Sequence, residues 1–562
     1  MRVTTVASAA ALALAGSTLG AQRGRGRPSW SSSDAVLEAN PNKISKMPAV
    51  MGLKTTNHEQ KLQDGLFDAG RYKVQAATKC RNGRAGEYSC ENIDLLGHLT
   101  HEKMGSETRA GNDIWGWTSS DGREFAIVGH TDGVAFIEVL RDGSLRYLGR
   151  LPTQTSTAIW RDMKVIGNHV YIVADAFAHG MQVFDLTKLL SVGAGGGGSS
   201  PVAYDPSKDL TAWYPGFGSA HNVVANPETQ TIFVVGANKD SLETRRRRIV
   251  NFITIISIRI TRIRIIGIVS ISSVTIIIII IIIITIIIIG LGLSFDFRIS
   301  RALTGCAGQD GYVHDALAVV YRGADARYHG HEIVFGCNED TLTIYDVTDR
   351  RAPVVLSKTT YDGYNGTGAY THQAWPVDGA SLTHLLLDDE LDEEYRGREE
   401  EPLADGGSGG GTKKTGDTRT TTYVFDVRDL TAPRWTGQYK APVKSVDHNQ
   451  YVRDGLSYMA NYGSGLRVVD VAGVVADPTG ASMREVAHFD CFPDDDAEGG
   501  RAEFNGAWSS YPFFASGTVL LNCIERGVFA LKLNRPLGGG GGGRAGHHAG
   551  QHLYGGGGGD LW

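Results

Sequence analysis

Four histidines recur at the starts of strand-like segments, each followed by a polar residue: His221-Asn222, His314-Asp315, His372-Gln373 and His448-Asn449. Imidazole nitrogens brought to one place can bind Zn, Cu, Fe or Ni, and neighbouring polar side chains then orient the rings. Asn222, Asp315 and Asn449 are placed for that orienting role. The competing reading is structural: a histidine at each strand start hydrogen-bonds the backbone of the next strand. The corresponding pair in another segment is Arg161-Asp162, and a guanidinium suits hydrogen bonding better than metal ligation. The set His221, His314, His372 and His448 therefore stands as a metal hypothesis for one transition-metal ion.

A second candidate is the acidic run from Asp388, Asp389 and Glu390 to Glu394, which follows the apolar Leu385-Leu386-Leu387. Oxygen-rich clusters hold Ca²⁺, but the spacing and glycines of a calcium loop are missing, and a solvated strand end explains the run equally. No Gly-x-Ser-x-Gly elbow, His-Glu-x-x-His helix, phosphate loop or dinucleotide fingerprint occurs in a fitting context. No residue is assigned a catalytic role.

The elements that must position these residues are repeats. One unit runs from Val446-Asp447-His448-Asn449 through the apolar Tyr458-Met459-Ala460, turns at Gly463 and Gly465, and ends on Leu466-Arg467-Val468-Val469-Asp470. Related units end on Val183-Phe184-Asp185, Ile344-Tyr345-Asp346 and Val424-Phe425-Asp426. Other copies enter at Gly116-Trp117, Arg161-Asp162, His221-Asn222 and Asn505-Gly506. Such a unit cannot bury its apolar face alone, so copies must stack. Seven copies of about four strands predict an all-β, seven-bladed β-propeller. The last copy lacks a fourth strand, and the surplus segment from Ile93 to Leu99 is expected to supply it and close the ring. The first strand of each blade lines the channel. Trp117, Arg161, Asp162, Asn222, Asp315, Gln373, Asn449 and Asn505 are thus the expected channel-lining residues, beside the histidines.

Five motifs carry a family resemblance: Ile159-Trp160-Arg161-Asp162, His179-Gly180-Met181-Gln182-Val183-Phe184-Asp185, Asn338-Glu339-Asp340-Thr341-Leu342-Thr343, Asp388-Asp389-Glu390-Leu391-Asp392-Glu393 and Phe504-Asn505-Gly506-Ala507-Trp508. With them the chain resembles the LVIVD-repeat propellers of the choice-of-anchor B type over roughly residues 80–533. The resemblance implies a secreted propeller and carries no established activity.

The resulting domain reading is a signal peptide at 1–21, an irregular polar lead-in at 22–75, the propeller at 76–536 and a Gly-rich tail at 537–562. Within the third copy, 241–299 breaks the pattern with an Arg run and an Ile-dominated stretch, read as a low-complexity insertion and a candidate for translated non-coding sequence. Its uncharged part at 265–295 is long enough to span a bilayer, but spanning there would split a blade. No membrane span is expected unless that segment is real.

Six cysteines suit an oxidising compartment. Cys80 with Cys90 closes a short polar loop, and Cys306 with Cys337 and Cys491 with Cys523 each fall within one copy. Sequence does not choose among the connectivities. Asn365 opens a glycosylation sequon. A net charge of −6 gives no nucleic-acid footprint. The functional expectation is an extracellular or cell-surface, monomeric, non-enzymatic scaffold for a protein or glycan partner. The alternative is a metal-dependent oxidoreductase or lyase with an axial ion in the four-His ring.

Overall fold

The computed structural model describes residues 45–192, 200–238, 312–361, 370–397 and 416–534, and the backbone of two strands, Phe252–Ile260 and Phe297–Ile299. The expected signal peptide, Cys306, Asn365, most of the 241–299 insertion and the Gly-rich tail lie outside the described residues. Among the described residues no helix is long and apolar enough to cross a membrane.

The fold is all-β with the sheets arranged as a propeller. Six sheets of four to six strands are described with their side chains. A further sheet takes its outer two strands from Phe252–Ile260 and Phe297–Ile299. The strands nearest the axis are β1 (Gly111–Thr118), β2 (Arg161–Ile166), β3 (Asn222–Asn226), β4 (Asp315–Val320), β5 (Thr371–Pro376), β6 (Gln450–Arg453) and β7 (Ala507–Tyr511). Each packs beside the next in that order, and β7 also packs beside β1. The strand Ile93–Leu99 pairs antiparallel with Gly527–Leu533, from Ile93 opposite Leu533 to Leu99 opposite Val528.

The recurring Asp at the end of each unit has a local cause. Asp185, Asp346, Asp426 and Asp470 each accept a hydrogen bond from the backbone N–H two residues on, at 2.9, 3.0, 3.0 and 3.2 Å. This side-chain turn ends the third strand without leaving an orphan donor. At Gly465 the turn needs φ +74°, and a Cβ there would lie 2.3 Å from the Phe489 carbonyl oxygen. Only glycine fits. Between sheets the apolar faces interlock. Phe136 and Phe184, from neighbouring sheets, stack with ring centroids 4.7 Å apart.

Two expectations change here. Inside the stretch read as irregular, Met47–Gln63 forms a helix, α1. Its buried residues Met47, Val50, Lys54 and Lys61 fall on one helical face, so docking rather than local propensity selects it. Cys491 and Cys523 are buried thiols rather than a disulfide, with Cys523 Sγ 3.5 Å from the Cys491 carbonyl oxygen. Cys80 and Cys90 are bonded as expected, on the extra hairpin that extends the sheet of β6.

Candidate functional site

The repeat register sets His221, His314, His372 and His448 at the entries of four successive inner strands. Their rings follow one another with centroids 4.3, 4.2 and 4.3 Å apart. Trp160 extends the arc beyond His221 at 6.2 Å, and Trp508 beyond His448 at 5.0 Å.

Each imidazole commits its Nδ1 to the surrounding scaffold. The partners are Asp175 Oδ2 for His221 at 2.6 Å, the His372 carbonyl for His314 at 3.2 Å, Asp388 Oδ1 for His372 at 2.9 Å, and the Trp508 carbonyl for His448. With Nδ1 engaged in this way, Nε2 is the nitrogen left for a further partner. Burial pushes His314 and His448 well below the ordinary imidazole range and His372 to about 4, so these three rings are neutral at neutral pH.

Helix α1 covers this layer. Its Lys54 ammonium pairs with Glu390 and sits 5.0 to 5.9 Å from the ring centroids of Trp508, Phe504, Tyr462 and Trp160, a cage of aromatic faces. Glu390 also accepts from the Tyr462 hydroxyl at 2.6 Å and lies 3.3 Å from His448 Nε2. Burial lowers the Lys54 pKa against the opposing pull of Glu390. Burial would raise Glu390, but the Lys54 charge and the hydrogen bonds from Lys54 and Tyr462 outweigh it and hold the carboxyl below its usual range. Two turns further along α1, Lys61 pairs with Glu525 at 2.8 Å and donates to the Phe504 carbonyl at 2.6 Å. A narrow crevice beside the helix is lined by Lys54, His58 and Lys61 on one side and Phe504 and Trp508 on the other.

Below the histidines the channel is filled by the chain itself. Lys164 on β2 pairs with Asp162 at 2.6 Å and Asp113 at 3.4 Å, over the Trp115 ring. Burial opposes its charge, but Asp162 and Asp113 outweigh that and hold its pKa well above the ordinary value. Gln373 Nε2 donates to Asp315 at 3.0 Å and to Asn449 at 3.4 Å, while its Oε1 accepts from the Gln450 N–H at 2.7 Å. Further along, Trp115, Tyr451, Tyr511, Trp375 and Phe513 pack edge to face and tilted.

Asp162, Asn222, Asp315, Gln373 and Asn449 take part in contacts between neighbouring inner strands or their entries. Three expected channel residues do not. Arg161 is buried between the sheets of β1 and β2, donating to the His130 carbonyl at 3.0 Å and to Thr153 Oγ1 at 2.8 Å. Trp117 packs tilted against Phe125 with ring centroids 5.0 Å apart, and it is Asp113, four residues earlier, that meets Lys164. A register slip of four along β1 explains that miss. Asn505 precedes β7 and faces Asn57 of α1 at 3.5 Å.

The acidic run also divides. Asp388 bonds His372 and Gln450, Asp389 bonds the Tyr361 hydroxyl and the Tyr370 N–H, and Glu390 enters the chamber under α1. The three carboxylates are committed to different partners, so they do not share one cation.

Among the described residues, one group brings enough ligand atoms together to hold a metal ion: the donor atoms of His314, His372 and Glu390 all lie within 4.8 Å of one another. Sequence reasoning had the two histidines but assigned Glu390 elsewhere, and it missed Lys54, Lys61 and Glu525. The one-face spacing of α1's buried residues was the available signal. Compared with known proteins, the chain matches no family model and no curated protein.

Proposed function

We propose that this chain is an exported, seven-bladed propeller of the LVIVD-repeat, choice-of-anchor B kind, acting at the cell surface or outside it as a non-enzymatic binding scaffold. The ring of seven inner strands supports the blade count, and the pairing of Ile93–Leu99 with Gly527–Leu533 supports closure by the N-terminal strand. The observation that carries the functional reading is the filled channel. Lys54, Lys164 and the Trp115 cluster occupy it in successive layers, which leaves the outer surface to meet a partner. On that surface Phe177 is 63% exposed and Trp213 38%. The two are close in the fold, since the Trp213 indole donates to the His179 carbonyl two residues from Phe177. Exposed aromatic faces of this kind serve protein and glycan recognition.

The test is to purify the chain from culture medium and measure binding to immobilised extracellular glycans and matrix proteins. Saturable binding that Phe177→Ser and Trp213→Ala abolish, while His372→Ala leaves it intact, supports the scaffold reading. Retention of the chain inside the cell, or substrate turnover lost on His372→Ala, overturns it. The metal-dependent enzyme reading is favoured by the convergence of His314, His372 and Glu390. It requires an ion at that site.

A further inference from the structure

Lys54 differs from an ordinary core lysine in what surrounds it. Its ammonium lies in a chamber with a buried carboxylate, four aromatic rings and the inward edge of the histidine arc. That environment is built to hold a positive charge. Two of its donor atoms are nevertheless idle: His314 Nε2 and Glu390 Oε2 are buried and have no hydrogen-bond partner. A buried polar atom left unsatisfied is destabilising, so each calls for an explanation.

We propose that His314, His372 and Glu390 form a site for one divalent transition-metal ion of the zinc class, and that the Lys54 ammonium occupies the place of that ion in the described state. Two imidazoles and one carboxylate are a common zinc set, with a fourth position open to water or another ligand. His448 Nε2, 3.3 Å from Glu390 Oε1, borders that fourth position. Around a tetrahedral ion with bonds of roughly 2.0–2.1 Å, donor atoms stand about 3.3 Å apart, so a set already within reach closes by small side-chain movements. The orienting contacts are in place. His372 Nδ1 is held by Asp388 and His314 Nδ1 by the His372 carbonyl, the outer-sphere arrangement that fixes ring orientation in metal sites.

A soft or borderline divalent ion suits this nitrogen-rich set, whereas Ca²⁺ and Mg²⁺ require more oxygens than it offers. The exchange is sterically simple because Lys54 arrives on α1 from outside the ring, and the crevice beside α1 is lined by Lys54 itself. Ion and ammonium compete for Glu390. This inference goes beyond the scaffold reading and does not depend on it.

The test uses the full chain and its Lys54→Met variant, titrated with Co²⁺ and read by the visible bands of tetrahedral cobalt, then by displacement with Zn²⁺. The expected result is one tightly held ion per chain in Lys54→Met, markedly weaker binding in the parent, and loss of the cobalt spectrum on His314→Ala, His372→Ala or Glu390→Gln. Folded Lys54→Met that takes up no stoichiometric ion overturns the proposal. A spectrum that survives His314→Ala together with His372→Ala does so too, as does equal affinity in parent and variant. Lys54→Met leaves Glu390 buried without its counter-charge, and Lys54→Met/Glu390→Gln supplies the folding control. If Lys54→Met alone fails to fold, the parent decides under excess Co²⁺. A tetrahedral spectrum abolished by His314→Ala supports the site, and its absence overturns it.

Discussion

Two buried lysines share one axis and answer to different constraints. Lys164 and its partners Asp162 and Asp113 all belong to inner strands, so ring closure itself fixes the trio. Two carboxylates there outweigh burial, and the ammonium is held firmly charged. Lys54 has one carboxylate partner, is pulled down by burial, and rides on a helix that is not part of any sheet. Gly52, Thr55 and Thr56 in the middle of that helix lower its intrinsic stability, so α1 depends on the contacts it makes with the propeller. A buried ion pair within the ring is architecture. One delivered by a separately docked helix can be exchanged.

The sharpest way to break this comparison is to delete each lysine. Lys164→Met strands two carboxylates in the channel and is expected to destabilise the fold by about 3–5 kcal/mol, read as a lower midpoint in denaturant unfolding. Lys54→Met is expected to cost less, about 1–3 kcal/mol, because α1 can lift and let water reach Glu390. Limited proteolysis within Met47–Gln63 should accelerate in that variant while the sheets stay protected. Equal losses for the two variants would show that α1 is as integral as the ring.

Smaller still is the second contact of the helix. Lys61→Gln removes the pairing with Glu525 and should loosen α1 by about 1–2 kcal/mol, seen as faster hydrogen exchange of the helix amides with little change in global unfolding.

The finest distinction is in alkaline pH, where the two lysines act with opposite sign. The folded pKa of Lys54 lies below its ordinary 10.5, so between that folded value and 10.5 the unfolded chain holds more protons and stability rises with pH. The folded pKa of Lys164 lies above 10.5, so its contribution is complete below 10.5 and is lost as pH rises through the folded value. Unfolding free energies measured from about pH 8 to 11 should therefore lose a rising component in Lys54→Met and a falling one in Lys164→Met. Parallel profiles would remove the electrostatic difference between the two sites.

The propeller arrangement and the alignment of four histidines were legible in the sequence because both follow from periodicity. Alternation along a strand chooses faces, and a repeat that returns the same residue to each strand start returns it to the axis. The Asp that ends each third strand is equally local, since its turn involves only the next two residues. Three things were decided only by the tertiary structure. One was which strand position of β1 faces Lys164, because only ring packing sets that register. Another was the separation of Asp388, Asp389 and Glu390, adjacent in sequence and sent to different partners. The last was α1, whose weak helical signal becomes a helix only where Glu390, Glu525 and the aromatic rims meet Lys54 and Lys61. Repeats write their geometry into spacing, whereas a plug is defined by the surface it fills, and that surface is assembled from residues hundreds of positions away.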